Sequence, residues 1–138
     1  MKSLLSTKYS AGAFSTAMLI LRLVAGILMM NHGYGKLTHF EETAKFMPHL
    51  FGMSSSITTA LVIFAEFFCS LFIILGLFTR LAAIPLIIAM SVAFISVHKM
   101  NYGSGKGGGE GALIYLICFV LILFMGPGKA SLDRFIGK

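Results

Sequence analysis

Four apolar stretches of bilayer-crossing length take up most of this chain, and the first two each carry a charged residue near the middle: Arg22 and Glu66. A charge at bilayer depth costs roughly 2.5–3.5 kcal/mol on insertion scales and is retained where something pairs with it. The stretches are expected to span at about residues 13–37, 57–78, 81–98 and 110–126. Each is near the ~20 residues a membrane helix needs, which leaves no length for a second, soluble domain within the 138 residues. The composition agrees: 57% hydrophobic and 12% charged, against about 45–50% and about 25% in soluble domains. The fold class expected is all-α, an integral membrane four-helix bundle formed by residues 1–138 as a single domain.

The connections are uneven. The first apolar run continues past Arg22 to Met30 without a small-residue cleavage site, so a retained span is expected rather than a signal peptide. Residues 38–56 hold His39, Glu41, Glu42, Lys45 and His49 among Phe40, Phe46, Met47 and Phe51, a mixture that predicts a short helix lying at the interface and ending near Pro48. Ser54, Ser55 and Ser56 offer a cap for the second span. Thr79 and Arg80 form a very short turn, and Pro85 falls early in the third span, where a missing N–H is tolerated. A glycine-rich loop, residues 101–109, precedes the fourth span, and Gly126-Pro127-Gly128 ends it.

The formal charge is +6, with the basic residues at the ends of the apolar runs, where membrane anchoring places them and where no nucleic-acid surface is implied. Four spans put both termini on one side. That side carries Lys2, Lys8, Arg80, Lys129, Arg134 and Lys138 against Lys36, Lys45, Lys99 and Lys106 on the other, so cytoplasmic termini in a bacterial plasma membrane are expected. Cys69 and Cys118 lie inside apolar runs without a CxxC pair and read as small buried hydrophobes rather than as a thiol–disulfide centre.

Arg22 and Glu66 each lie about nine residues into their spans from opposite ends, so antiparallel neighbours would bring them level near the midplane as an ion pair. Gly26, Met29, Gly33 and Lys36 fall within about 40° of Arg22 around the first helix, and glycines on that stripe permit close approach of another helix or a flat ligand. Ser70, Ile73, Leu77 and Arg80 share a stripe with Glu66 in the same way. Asn31, His32, Tyr34 and Lys36 close the first span, His98 closes the third and Glu110 opens the fourth, all at one membrane face. Histidine, lysine, tyrosine and glutamate there suit the head of a quinone and its protons. Two interfacial histidines would also suit haem or a metal, and lysine and tyrosine also mark the water boundary without further role.

Arg22, Gly26, His32, Gly33, Lys36 and Leu37 resemble the first-helix signature of the DoxX family of small bacterial membrane proteins. Ala65-Glu66 with Leu75-Gly76-Leu77-Phe78-Thr79-Arg80 resembles its second. His98, Gly109-Glu110-Gly111-Ala112-Leu113, Gly126-Pro127-Gly128 and Ser131-Leu132-Asp133 resemble its later landmarks. The resemblance implies a four-helix membrane protein. It also implies a link to membrane oxidoreductase systems such as thiosulfate:quinone oxidoreductase, or to oxidative- and thiol-stress complexes. On this reading the chain is the membrane subunit of such a system. Arg22, His32, Lys36, Glu66, His98 and Glu110 would surround a cofactor, with quinone favoured over haem, and a soluble or membrane oxidoreductase would be the partner. A non-catalytic scaffold or assembly factor, or a small permease acting as an oligomer, are the alternatives.

Overall fold

The computed structural model describes residues 4–103, 105 and 108–137, and every element within them is helical. Helix α1 runs Ala11–Thr38, capped by the Ser10 hydroxyl, which accepts the Ala13 N–H at 3.0 Å. The interfacial helix α2, Phe40–Phe46, stops ahead of Pro48, and a 3₁₀ turn over Leu50–Gly52 follows. Helix α3, Ser55–Leu75, is capped by Ser54, and helix α4 runs Thr79–Val97. Helix α5 is Glu110–Met125, and a single turn, α6, covers Asp133–Ile136.

At 1.5 Å per residue α1 is about 42 Å long, more than the ~30 Å hydrocarbon core, so its C-terminal turns with Lys36 project to the membrane face. Helices α1, α3 and α4 are long and apolar enough to cross a membrane, and α5 is a shorter apolar helix of 16 residues. Helix α1 packs against α3 and α5, and α4 packs against the same two from the other side, so α1 and α4 are diagonal in an up-and-down bundle.

The distribution of side chains inverts that of a soluble core. Ile20, Val24, Ile27, Phe64, Ile88, Ile95 and Ile117 point outward, while Arg22, Thr58, Thr59, Glu66, Ser70 and Thr79 are buried among Met29, Ile73, Leu86, Phe119 and Ile122. Lipid accepts the apolar exterior, and the interior holds the groups that need partners.

Two boundaries differ from the sequence reading for reasons visible in the packing. The second span ends at Leu75, not residue 78. Gly76 takes φ 68°, and the N–H groups of Gly76 and Leu77 return to the carbonyls of Ile73 and Phe72, a Schellman stop. The Glu66 stripe therefore ends at Ile73, and Arg80 belongs to α4, where it is exposed. Helix α4 begins two residues earlier than expected because the Asp133 carboxylate accepts the N–H groups of Phe78 at 2.6 Å and Thr79 at 2.9 Å. Pro85 consequently lies beyond the first turn of α4. The basic residues Lys2, Lys106 and Lys138, part of the orientation count above, lie outside the described residues, as does part of the glycine-rich loop.

Candidate functional site

The expected Arg22–Glu66 pair is absent. Gly33, not Arg22, is level with Glu66: a Cβ at Gly33 would lie 2.6 Å from the Phe67 nitrogen and 2.7 Å from the Glu66 carbonyl carbon. Eleven residues separate Arg22 from Gly33, about 16 Å along the helix. Long side chains on a helix lean toward its N-terminus. Arg22 therefore reaches away from Glu66, whereas Lys36, one turn beyond Gly33, reaches back to it.

Arg22 is 1% exposed. Its Nε donates to the Ile73 carbonyl at 3.0 Å, Nη2 to Ile74 at 3.1 Å and Nη1 to Ala130 at 2.8 Å and Pro127. The first two are carbonyls of the last turn of α3, where the helix dipole is negative. The guanidinium thus caps α3 and ties the segment after α5 to it, and Gly76 is the place where it fits: a Cβ there would sit 2.7 Å from Nη2. Arg22 is a structural clamp at the end of the bundle that holds the chain termini.

Glu66 is 2% exposed, and both its oxygens accept from the Lys36 ammonium at 2.6 Å. This is the only salt bridge among the described residues. Gly26 and Gly33 make it geometrically accessible, since both bring α1 onto the α3 backbone; at Gly26 a Cβ would lie 2.7 Å from Ile74 Cγ1. Glu66 also lies in a π-helical stretch, Phe64–Cys69, and a second such stretch, Ala93–Val97, leads into His98. Single π-turns inside α-helices are rare and concentrate at functional sites.

These two stretches flank one cavity of about 220 Å³, floored by Met29 and Met90 and lined by His32, Lys36, Glu66, His98 and Tyr115. A second lobe of about 380 Å³ shares Lys36, Glu66, Ala93 and His98 with it and is roofed by Thr43, Phe46 and Met47. His98 Nδ1 is buried without a hydrogen-bond partner among the described residues. Gly109 allows its placement, because a Cβ there would lie 3.0 Å from His98 Cβ and 2.7 Å from the Phe94 ring. His32 stands at the rim, its ring edge-on to Tyr115 with centroids 5.8 Å apart.

Four of the six residues singled out from sequence therefore meet: His32, Lys36, Glu66 and His98. Arg22 and Glu110 do not. Glu110 is exposed in the first turn of α5, where its charge suits the helix N-terminus, and it does not line the cavity. Tyr115, missed in the sequence, does. The available signal was a tyrosine inside the apolar run of α5, since a hydroxyl there needs a polar neighbour. Asn31 and Tyr34 point outward, and His39 and His49 make only local contacts in the interfacial connection. Among the described residues no group of three or more His, Cys, Asp and Glu side chains is placed to hold a metal.

Removing one partner of the Lys36–Glu66 pair leaves the other stranded. Lys36→Met is expected to lower stability by about 3 kcal/mol, near the lower end for buried pairs because the Lys36 side chain is 32% exposed. The double variant Lys36→Met/Glu66→Leu is expected to recover most of that loss, and thermal melting of the parent, the two single variants and the double variant measures the coupling term.

An inverted helical bundle with charged and imidazole groups turned inward at one membrane face defines a small integral membrane protein with an interior polar site. The family model described as DoxX matches residues 17–99, and the chain belongs to the DoxX family. An uncharacterized protein of Haemophilus influenzae is 31% identical over 121 residues, 83% of this chain and 86% of its own. An uncharacterized membrane protein of Mycobacterium tuberculosis is 27% identical, over 88% of this chain and 82% of its own. The inner membrane protein YqjF of Escherichia coli is 28% identical, over 87% and 92% respectively. No solved structure matches the chain significantly.

Proposed function

We propose that the chain is the membrane subunit of a quinone-linked oxidoreductase system, and that the cavity between the two π-helical stretches receives the quinone ring. The buried, unpartnered Nδ1 of His98 carries this reading, because a buried imidazole nitrogen wants a partner that a ligand can supply. The donor set fits. Lys36 has a third N–H beyond the two given to Glu66, and His32, His98 and Tyr115 add ring N–H and hydroxyl donors. A ring with two carbonyl oxygens needs such donors, and about 220 Å³ exceeds the roughly 150 Å³ of an engineered cavity that takes benzene.

A bound quinone would supply a two-electron, two-proton acceptor. The electrons come from a partner oxidoreductase, soluble or membrane-bound, which oxidises its own substrate. In this chain His98 and His32 hold and pass protons at the membrane face. Lys36, fixed by Glu66, offers a positive donor to a carbonyl oxygen. The positive-inside rule and a relative named as an inner membrane protein support a bacterial inner membrane location with cytoplasmic termini, which puts the cavity toward the outer face.

Titration of the purified chain with 2,3-dimethoxy-5-methyl-1,4-benzoquinone tests the site. Binding is expected, weakened about tenfold by His98→Ala, a loss on the scale of one hydrogen bond to a charged or buried group. Equal affinity in His98→Ala and the parent chain would remove the ring from this cavity.

A further inference from the structure

The cavity has a continuation that its polar residues do not explain. A groove of about 330 Å³ opens beside it, walled by Phe51 and Met53 of the interfacial connection, Leu61 and Val62 of α3, and Ile88 and Ala89 of α4. Its one side-chain hydroxyl, on Thr58, is already donated to the Ser54 carbonyl at 3.1 Å. The groove is therefore dry on every side. It is joined to the second lobe of the cavity through shared walls at Val62, Ala89 and Val92, and that lobe is joined to the first through Lys36, Glu66 and His98. Polar head space and apolar side space adjoin along α3 and α4, from the His98 side chain outward.

We propose that this groove holds the hydrocarbon tail of the molecule whose ring occupies the cavity, so that the natural ligand is a long-chain, isoprenoid-type quinone rather than a free ring. The assignment rests on the quinone reading above. The width of the intervening lobe, about 380 Å³, selects this groove over the smaller apolar depression of about 260 Å³ between α1 and α5. That depression meets the cavity at Gly111 and Tyr115, and the edge contact of Tyr115 with His32 ties α1 to α5 there. On the α3–α4 side the lobe widens instead, and both π-helical stretches lie along it, Phe64–Cys69 in α3 and Ala93–Val97 in α4.

The test compares the bare benzoquinone ring above with the same ring carrying a decyl chain, in the purified full chain at one fixed detergent concentration. Affinities are expressed against free ligand, with the partition of each compound into the detergent measured separately, so the ratio reports the protein. The wild-type ratio is expected to favour the decyl compound by at least about tenfold. Val62→Phe and Ala89→Phe, which fill the groove, are expected to bring the ratio within about twofold of unity. Ile114→Phe, in the depression between α1 and α5, is expected to leave it at the wild-type value. A terminal diazirine on the decyl chain, photolysed on the wild-type protein, is expected to label α3 and α4 around Leu61 and Ile88, which keeps the test independent of how the variants fold. Binding of the bare ring without gain from the chain, a gain that survives both groove variants, or label on Leu21 or Ile114 overturns the groove assignment and leaves the ring site standing. Failure of both compounds to bind overturns the ring site itself.

Discussion

Replacing Arg22 with methionine is expected to destabilise the bundle by about 3–5 kcal/mol, the range seen when one side of a buried charged network is removed. Three backbone carbonyls, those of Ile74, Pro127 and Ala130, would lose the donor that the guanidinium gives them, while Ile73 would keep the Gly76 N–H. Each buried carbonyl left unsatisfied costs about 1–3 kcal/mol, reduced where the chain can relax. Arg22→Lys is expected to rescue little. An ammonium is a point charge with three donors, and it cannot span a helix end and a separate chain segment as the planar guanidinium fork does. The melting temperature in detergent should fall by on the order of 10 °C. Tryptic cleavage at Lys129, in the segment that the guanidinium holds down, should accelerate. A melting temperature within about 2 °C of wild type would contradict the clamp.

Gly33→Leu is expected to damage the site more than any substitution of a polar residue in it. The space at Gly33 is closed by the Glu66–Phe67 backbone rather than by a flexible side chain, so any Cβ must move α1 away from α3. Gly33→Ala is expected to cost about 1–3 kcal/mol from overpacking, and the leucine variant more. Displacement of α1 would also draw Lys36 off Glu66 and open the floor at Met29, so benzoquinone binding should be lost in Gly33→Leu even where protein still inserts. Gly35→Ala is the control. It lies two residues away on the same helix with nothing within 4 Å of the added carbon, and should be neutral or stabilising by up to about 1 kcal/mol. Equal behaviour of the Gly33→Ala and Gly35→Ala variants would show that the close crossing does not matter.

Both expectations rest on a helix-to-helix register that no single stretch of sequence contains. Counting about nine residues in from opposite ends of the two apolar runs places Arg22 and Glu66 level. Apolar runs set only which residues can lie in lipid, not the axial offset between two helices. The true register is set where Gly26 and Gly33 let two backbones touch. The partner of each cation then follows from the lean of long side chains toward the N-terminus of their helix.

The class of fold is legible locally. Runs of about 20 apolar residues, the Ser54 cap and the break at Gly126-Pro127-Gly128 act through nearest neighbours and need no knowledge of the rest of the chain. The sequence by itself also determined that His32, Lys36, Glu66 and His98 would lie toward one face or turn inward, because a buried or interfacial polar group in such a chain has few other places to go. Only the tertiary structure decided that Lys36 rather than Arg22 holds Glu66, that Arg22 serves backbone carbonyls at the opposite end, that Glu110 stays outside, and that Tyr115 joins the cavity. Contacts between helices depend on axial offset and rotation, and those are decided by how closely whole backbones can approach.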